Sequence, residues 1–396
     1  MSPPSCWRRT PNDPTEVFSA HELERSRRYQ RPLARLRFLR AVLGLAVLVA
    51  IVWVQAAPRL ADALGISGWV ARSVVVIVAL TSVSMVYDVP LDAWVDLVHD
   101  RRWGLSTQTG RGLAMDEVKS AAFEVVLAAA VVVPLYAVIR ASTWWWLWGW
   151  ALVVGFMVLF GFLFPVVIAP VFNRFTPLAD APLVDRLHAL AERAGVRMGG
   201  VYVVDESRRS RRDNAYVTGL GATRRVVLYD TILEHTPEMV EQVVAHEFGH
   251  LRRHHLRREL PLVAGIALVG FAVLRLLAGW DALWSWAGVA GIGDPTGLPV
   301  LLLVTQVGGA VAGVLLAWVS RVFERQADLD ALDLLRRPDD TVEMLRCLHV
   351  KNLADLAPGR VARLRTGHPT AAERVAFARA WGAVGAVHGE RAITQS

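Results

Sequence analysis

Six stretches of the chain are apolar for long enough to cross a bilayer, which takes about 20 residues in a helix. They cover 39–57, 73–95, 121–139, 144–168, 261–280 and 298–319. Two charges fall inside these runs, Glu124 and Arg275. An ionised group in hydrocarbon is costly, so both are expected to face protein or a wet cavity, or to sit near a span end and snorkel.

Between the fourth and fifth runs, residues 169–260 change character and read as a small α+β unit. Residues 181–195 carry an amphipathic helical pattern closed by Gly195. Val201–Val204 is a short β-branched run, Arg208–Arg212 a basic loop, and 214–230 two strands around a glycine-containing turn. Thr236 followed by Pro237 signals a capped helix start, and that helix is expected to run to about His255. The boundaries follow: an arginine-rich arm at 1–38, four spans in 39–168, the α+β segment at 169–260, two spans in 261–319 and a helical C-terminal segment at 320–396. The fold expected is an all-α-dominated polytopic membrane protein of six to seven transmembrane helices with a small cytoplasmic α+β domain.

Composition supports this. The chain is 54% hydrophobic and only 20% charged, against about 25% charged in soluble domains, which excludes an ordinary water-soluble enzyme. The net charge of +7 is carried by arginine, with lysine only at Lys119 and Lys351. No basic–aromatic stripe accompanies it, so nucleic acid is not an expected partner. The arginines instead alternate between loops. They crowd Arg8–Arg40 and the 98–119 loop, while 58–67 has only Arg59 and 281–297 has none. By the positive-inside rule the N-terminus, 98–119, 169–260 and the C-terminus are cytoplasmic. The arm itself is a positive-inside anchor or, through Arg25–Arg40, an amphipathic surface helix. Cys6 and Cys347 stand far apart and suggest neither a disulfide framework nor a cysteine metal site.

The chemistry concentrates at His246-Glu247-Phe248-Gly249-His250. Histidines at i and i+4 share one helix face and can bind one Zn²⁺, and Glu247 beside them can take a proton from a zinc-bound water. A surface helix that is merely histidine-rich, continuing through His254 and His255, is the plainer account. His255, nine residues past His246, points elsewhere and suits packing or a supporting hydrogen bond. A catalytic zinc needs a third protein ligand. Glu324, just past the last span, is the candidate, with Asp328 one turn on to accept a histidine N–H. The alternative is that both line a solvated face beside Arg321 and Arg325.

With these residues in view, the chain resembles the type I CAAX prenyl proteases, membrane-embedded zinc endopeptidases, and in particular their bacterial members. The resemblance covers roughly 85–385; eukaryotic members have about seven spans, which implies an extra short segment near 281–292. It runs through Trp103-Gly104-Leu105-Ser106, Asp116 and Lys119, Ala169-Pro170-Val171-Phe172-Asn173, Asp205, Asn214-Ala215-Tyr216 and Gly219-Leu220-Gly221. It continues through Val227-Leu228-Tyr229-Asp230-Thr231, the HEFGH helix, Phe323-Glu324 with Ala327-Asp328, and His368-Pro369 with Glu373-Arg374. The resemblance implies a helical membrane chamber with one Zn²⁺ per chain, held by His246, His250 and Glu324, and Glu247 as general base. It also implies that the strand bearing Asn214 and Ala215 holds substrate backbone by strand addition; Asn214 as a simple turn residue is the competing account. His368 can donate to a developing oxyanion with Arg374 behind it, or His368-Pro369 can simply break a helix.

The expected activity is hydrolysis of peptide bonds in membrane-associated or misfolded proteins, at the cytoplasmic face of a bacterial membrane. The arginine-rich composition suggests a genome in which prenylated substrates are absent, which favours general turnover over CAAX-type processing of lipidated C-termini. A non-proteolytic zinc-binding transporter or scaffold, using Glu124 and Arg275, is the rival from a different class.

Overall fold

The computed structural model describes residues 13–219 and 224–393. Cys6, Arg8 and Arg9, and Leu220 and Gly221 of the expected turn, lie outside the described residues.

The first helix, α1 (Ala20–Trp53), starts well before residue 39. Ser19 accepts from the Glu22 N–H while Glu22 accepts from the Ser19 N–H, a capping box that fixes this start. At 1.5 Å per residue its 34 residues extend about 50 Å, more than a hydrocarbon core of about 30 Å. The surplus is spent outside the apolar run: Leu23, Ser26 and Tyr29 are buried against the polar domain. From Ala20 onward the arginine-rich segment and the first span are thus one helix.

After the short α2 (Ala56–Ala63) come α3 (Trp69–Ala93), α4 (Gly110–Ala141) and α5 (Trp145–Leu163). Among the described residues six helices are long and apolar enough to cross a membrane, and only 6% to 17% of their most apolar windows is buried inside the protein. Apolar surface on that scale requires lipid around it. Where the helices do meet, Tyr136, Trp145, Phe271, Trp284 and Leu298 form a cluster. The segment near 281–292 contributes a short helix, Asp281–Trp286, whose Trp284 enters that cluster. Glu124 lines a cavity of about 470 Å³ between the helices, together with Tyr87, Thr81, Ser84 and Gln306. Arg275 lies exposed two residues from the end of its helix, where it can snorkel.

The polar unit holds a four-stranded sheet in the order β1-β2-β4-β3, with β1 (Phe175–Pro177), β2 (Gly200–Val204), β3 (Ala215–Thr218) and β4 (Arg225–Tyr229). β2 and β4 are parallel; β1 and β3 run antiparallel to their neighbours. Helix α6 (Ala181–Ala194) ends where Gly195 takes φ +66, a left-handed turn that glycine adopts without strain. Helix α7 (Pro237–Arg252) opens as Thr236-Pro237 predicts, with Thr236 accepting from Met239 N–H. It stops at Arg252, short of His255. His254 turns left-handed at φ 52 and α8 (His255–Leu277) begins, the fifth long apolar helix. The sixth, α9 (Leu298–Leu335), leaves the apolar region without a break and runs beside α7. α10 (Pro338–Lys351), α11 (Arg360–Arg365) and α12 (Ala371–Ile393) complete the chain. Leu187, Val226, Leu228, Val244, Phe248, Leu345 and Val375 form the core of this unit, and Val17, Phe18 and Leu23 from the chain start join it.

Candidate metal centre

The site is set by how closely α7 approaches α9. A Cβ on Gly249 would lie 2.8 Å from both Cα and O of Ala327, so only glycine permits this contact. Through it His246 and His250, one turn apart on α7, meet Glu324 and Asp328, one turn apart on α9.

His246 Nε2 lies 3.2 Å from His250 Nε2 and 3.2 Å from Glu324 Oε2, and His250 Nε2 lies 3.4 Å from Glu324 Oε1. Ligand atoms of all three residues fall within 4.8 Å of one another, as a single cation requires. Glu324 Oε2 is buried without a hydrogen-bond partner, a polar atom that a cation would satisfy. Two imidazoles and a carboxylate are a donor set suited to Zn²⁺, so the residues present fit the ion.

The remaining ring nitrogens are engaged away from this centre. His246 Nδ1 lies 2.9 Å from Asp328 Oδ1. Asp328 in turn accepts two hydrogen bonds from Arg374, Nε to Oδ2 at 2.9 Å and Nη2 to Oδ1 at 2.6 Å. Burial by itself would lower the His246 pKa, but Asp328 and the nearby Glu324 carboxylate outweigh that and push it up to about 9. On the other ligand, His250 Nδ1 faces His255 Nδ1 at 2.9 Å, and His255 Nε2 faces Gln326 Oε1 at 3.0 Å. His255 also stacks flat on Phe323, with ring centroids 4.4 Å apart and 7° between planes. Glu247 stands between the two histidines in sequence, and burial pushes its carboxyl above the usual range against the pull of both rings. A buried carboxyl in this position is suited to receiving and returning a proton.

Other candidate residues gather at the edges. His368 is exposed, yet its Nε2 lies 3.3 Å from Glu324 Oε1, on the open side of the cluster. Arg374 is buried behind Asp328 rather than turned to solvent. Asn214 and Ala215 lie at the start of β3, the last strand of the sheet, which packs along α7. Asn214 accepts from Tyr229 N–H of β4 through its carbonyl at 3.0 Å and from the adjoining Ala215 N–H through Oδ1 at 2.9 Å. The neighbouring Asp213 is locked in place by Lys351 Nζ at 2.8 Å and His235 Nε2 at 2.6 Å. A further brace joins this region to the long helices: buried Asp100 accepts from Tyr29 Oη and from Arg212 Nη2, both at 2.7 Å.

This arrangement has known counterparts. Residues 6–174 match the family described as CAAX prenyl protease N-terminal, five membrane helices, and residues 177–382 match peptidase family M48. The chain belongs to peptidase family M48. This M48 peptidase is 31% identical over 304 residues to the metalloprotease YhfN of Bacillus subtilis, covering 76% of this chain and 71% of that one. It is 27% identical over 330 residues to CAAX prenyl protease 1 of Saccharomyces cerevisiae, covering 77% of this chain and 72% of the relative. The crystal structure of S. mikatae Ste24p shares the fold, with a TM-score of 0.84, 23% identity, and coverage of 94% of this chain and 92% of that one. The M48 peptidase is therefore a multi-pass membrane metalloendopeptidase with a small sheet-containing domain.

Gln326 and Gly249 also shape the site, through the His255 contact and the close approach of α7 to α9. The glycine was legible in principle, since a helix-interior glycine often marks close backbone approach. Gln326 gives no local signal.

Proposed function

We propose that the protein is a zinc-dependent endopeptidase acting at the cytoplasmic membrane surface, with one Zn²⁺ per chain held by His246, His250 and Glu324. The observation that carries this is the convergence of those three residues beside Glu247. Zinc in this position supplies Lewis-acid polarisation of the scissile carbonyl and an easier deprotonation of the attacking water. Glu247 accepts the proton of that water and returns it to the leaving amine. Asp328, held by Arg374, fixes the ring of His246 so that Nε2 faces the cluster. His368 donates to the carbonyl oxygen as it gains charge. Substrate backbone adds to the exposed edge of β3 at Asn214 and Ala215, alongside α7.

The cytoplasmic orientation rests on the arginine distribution. The even number of spans then returns Glu324 and the HEFGH helix to one side. A site at the bilayer surface suits membrane-associated or misfolded proteins. Processing of lipidated C-termini is the second reading, favoured by the CAAX prenyl protease named among the relatives. The exposed His368 and the peptidase family membership weigh against a non-proteolytic scaffold.

Purified protein and its Glu247→Gln variant, assayed on casein with and without chelator and analysed for zinc, test the proposal. One zinc in each, with chelator-sensitive cleavage only in the unmodified protein, is the expected result. Full cleavage by Glu247→Gln would overturn the role of that residue, and absence of zinc would overturn the site. A prenylated peptide against an unmodified membrane protein separates the two substrate classes.

A further inference from the structure

Just before His368 lies the short helix α11, Arg-Val-Ala-Arg-Leu-Arg from Arg360 to Arg365. At 3.6 residues per turn, Val361 and Leu364 fall side by side, with Arg360 on one flank and Arg365 on the other. Both apolar side chains are open, 72% and 53% exposed.

The position of α11 along the molecule is fixed. Arg321 Nη1 donates to the carbonyls of Arg363 at 3.0 Å and Thr366 at 2.7 Å. Gly367 passes so close that a Cβ there would meet Ser320 Oγ at 2.8 Å. Ser320 and Arg321 directly follow the apolar stretch of α9, whose Val311, Leu315 and Trp318 face outward. Trp318 lies about 4.5 Å from Arg321 along the helix axis, where an aromatic residue marks the edge of a hydrocarbon layer. α11 is therefore held at the level where the lipid-facing surface of α9 ends. A second basic–apolar group lies at the same end: Leu256, 74% exposed, precedes Arg257 and Arg258, and its neighbour His255 stacks on Phe323 of α9.

We propose that α11 rests on the bilayer and recognises anionic lipid headgroups. Val361 and Leu364 enter the hydrocarbon edge, while Arg360 and Arg365 reach the headgroup phosphates. The bilayer is the occupant because α11 is tied to α9 where the outward apolar surface of that helix ends, and because flanking cations complement anionic headgroups. Only Thr366 and Gly367 separate α11 from His368, so headgroup binding sets how His368 approaches Glu324. This coupling rests on the peptidase reading above; the docking itself does not.

The test uses the full chain in lipid nanodiscs, with Cys6 and Cys347 changed to serine and Leu364→Cys carrying an environment-sensitive fluorophore. Emission should be blue-shifted and quenched by spin-labelled lipid, with quenching about twofold stronger when phosphatidylglycerol is mixed into phosphatidylcholine. Adding Arg360→Gln and Arg365→Gln should remove that difference, with the melting temperature confirming a folded protein. Water-like, unquenched emission in both lipids would overturn the proposal and leave this face to a substrate protein or a second copy. Equal quenching in both lipids, unchanged by the arginine substitutions, would overturn headgroup recognition. Casein cleavage measured in the same discs reads the coupling separately. Docking with no lipid effect on cleavage overturns only the link to His368, and no cleavage in any disc overturns the peptidase reading instead.

Discussion

His250 and His255 face each other through their Nδ1 atoms at 2.9 Å, an approach that requires one ring to carry its hydrogen there and the other not. His250 turns Nε2 toward His246 and Glu324. For that nitrogen to offer a lone pair, the His250 hydrogen must sit on Nδ1 and be donated to His255. His255 then carries its own hydrogen on Nε2 and donates it to Gln326 Oε1. One glutamine oxygen thereby sets the tautomers of two rings. His255→Ala is expected to weaken zinc affinity about 10- to 100-fold, as loss of such supporting groups does. Competition against a fluorescent chelator measures it, and unchanged affinity would contradict the relay.

Gly249→Ala should separate α7 from α9. The added methyl meets backbone atoms of Ala327, which cannot rotate away. A loss of about 1–3 kcal/mol is expected, typical of overpacking, together with weakened metal binding. Thermal melts in detergent and zinc stoichiometry read the two effects. A variant with full zinc content and the parent melting temperature would show that the contact is not limiting.

Removing Arg374 should cost more than removing the Asp328–Arg374 pair together. Both side chains are buried, and Arg374→Gln leaves the Asp328 carboxylate without its bidentate partner. Breaking such a pair costs about 3–5 kcal/mol, while Asp328→Asn with Arg374→Gln leaves no orphaned charge. A double-mutant cycle on melting temperature checks this, and strict additivity would count against a coupled pair.

Acid should loosen the C-terminal helices. Burial, with Arg374 nearby, lowers the His349 pKa from the ordinary 6.5 to about 4, and its Nδ1 hydrogen is given to the Leu345 carbonyl. A depressed histidine favours the neutral form in the folded state. Its contribution is therefore complete above about 6.5 and is lost as pH falls toward about 4. Melting temperatures between these limits should fall less steeply for His349→Gln than for the parent. Equal slopes would assign the acid sensitivity to other groups.

Much of the architecture could be read directly from the chain. Uninterrupted apolar runs have few other uses, so six spans were legible. So was the start of α7, because Thr236-Pro237 is a local signal. The end of α7 was not: His254 occupies a left-handed conformation that costs a non-glycine residue energy, and nothing in the local pattern marks it. β1 is not legible, because three residues ending in Pro177 carry no alternation. The i, i+4 histidines suggested a ligand pair, and Glu324 followed from the need for a third. Gln326 could not be found that way, since its partner His255 is 71 residues away.

The first helix has a mechanical meaning. Leu23 of α1, with Val17 and Phe18 just before the helix, sits in the core of the sheet-bearing unit, while Val52 at the other end of α1 lies among the apolar helices. The helix is continuous from one to the other, with Pro32 inside it as a residue that removes an intrahelical hydrogen bond. Membrane tilt or thinning at α1 is therefore carried toward the catalytic unit along a continuous helix, and Pro32 is where that helix would bend.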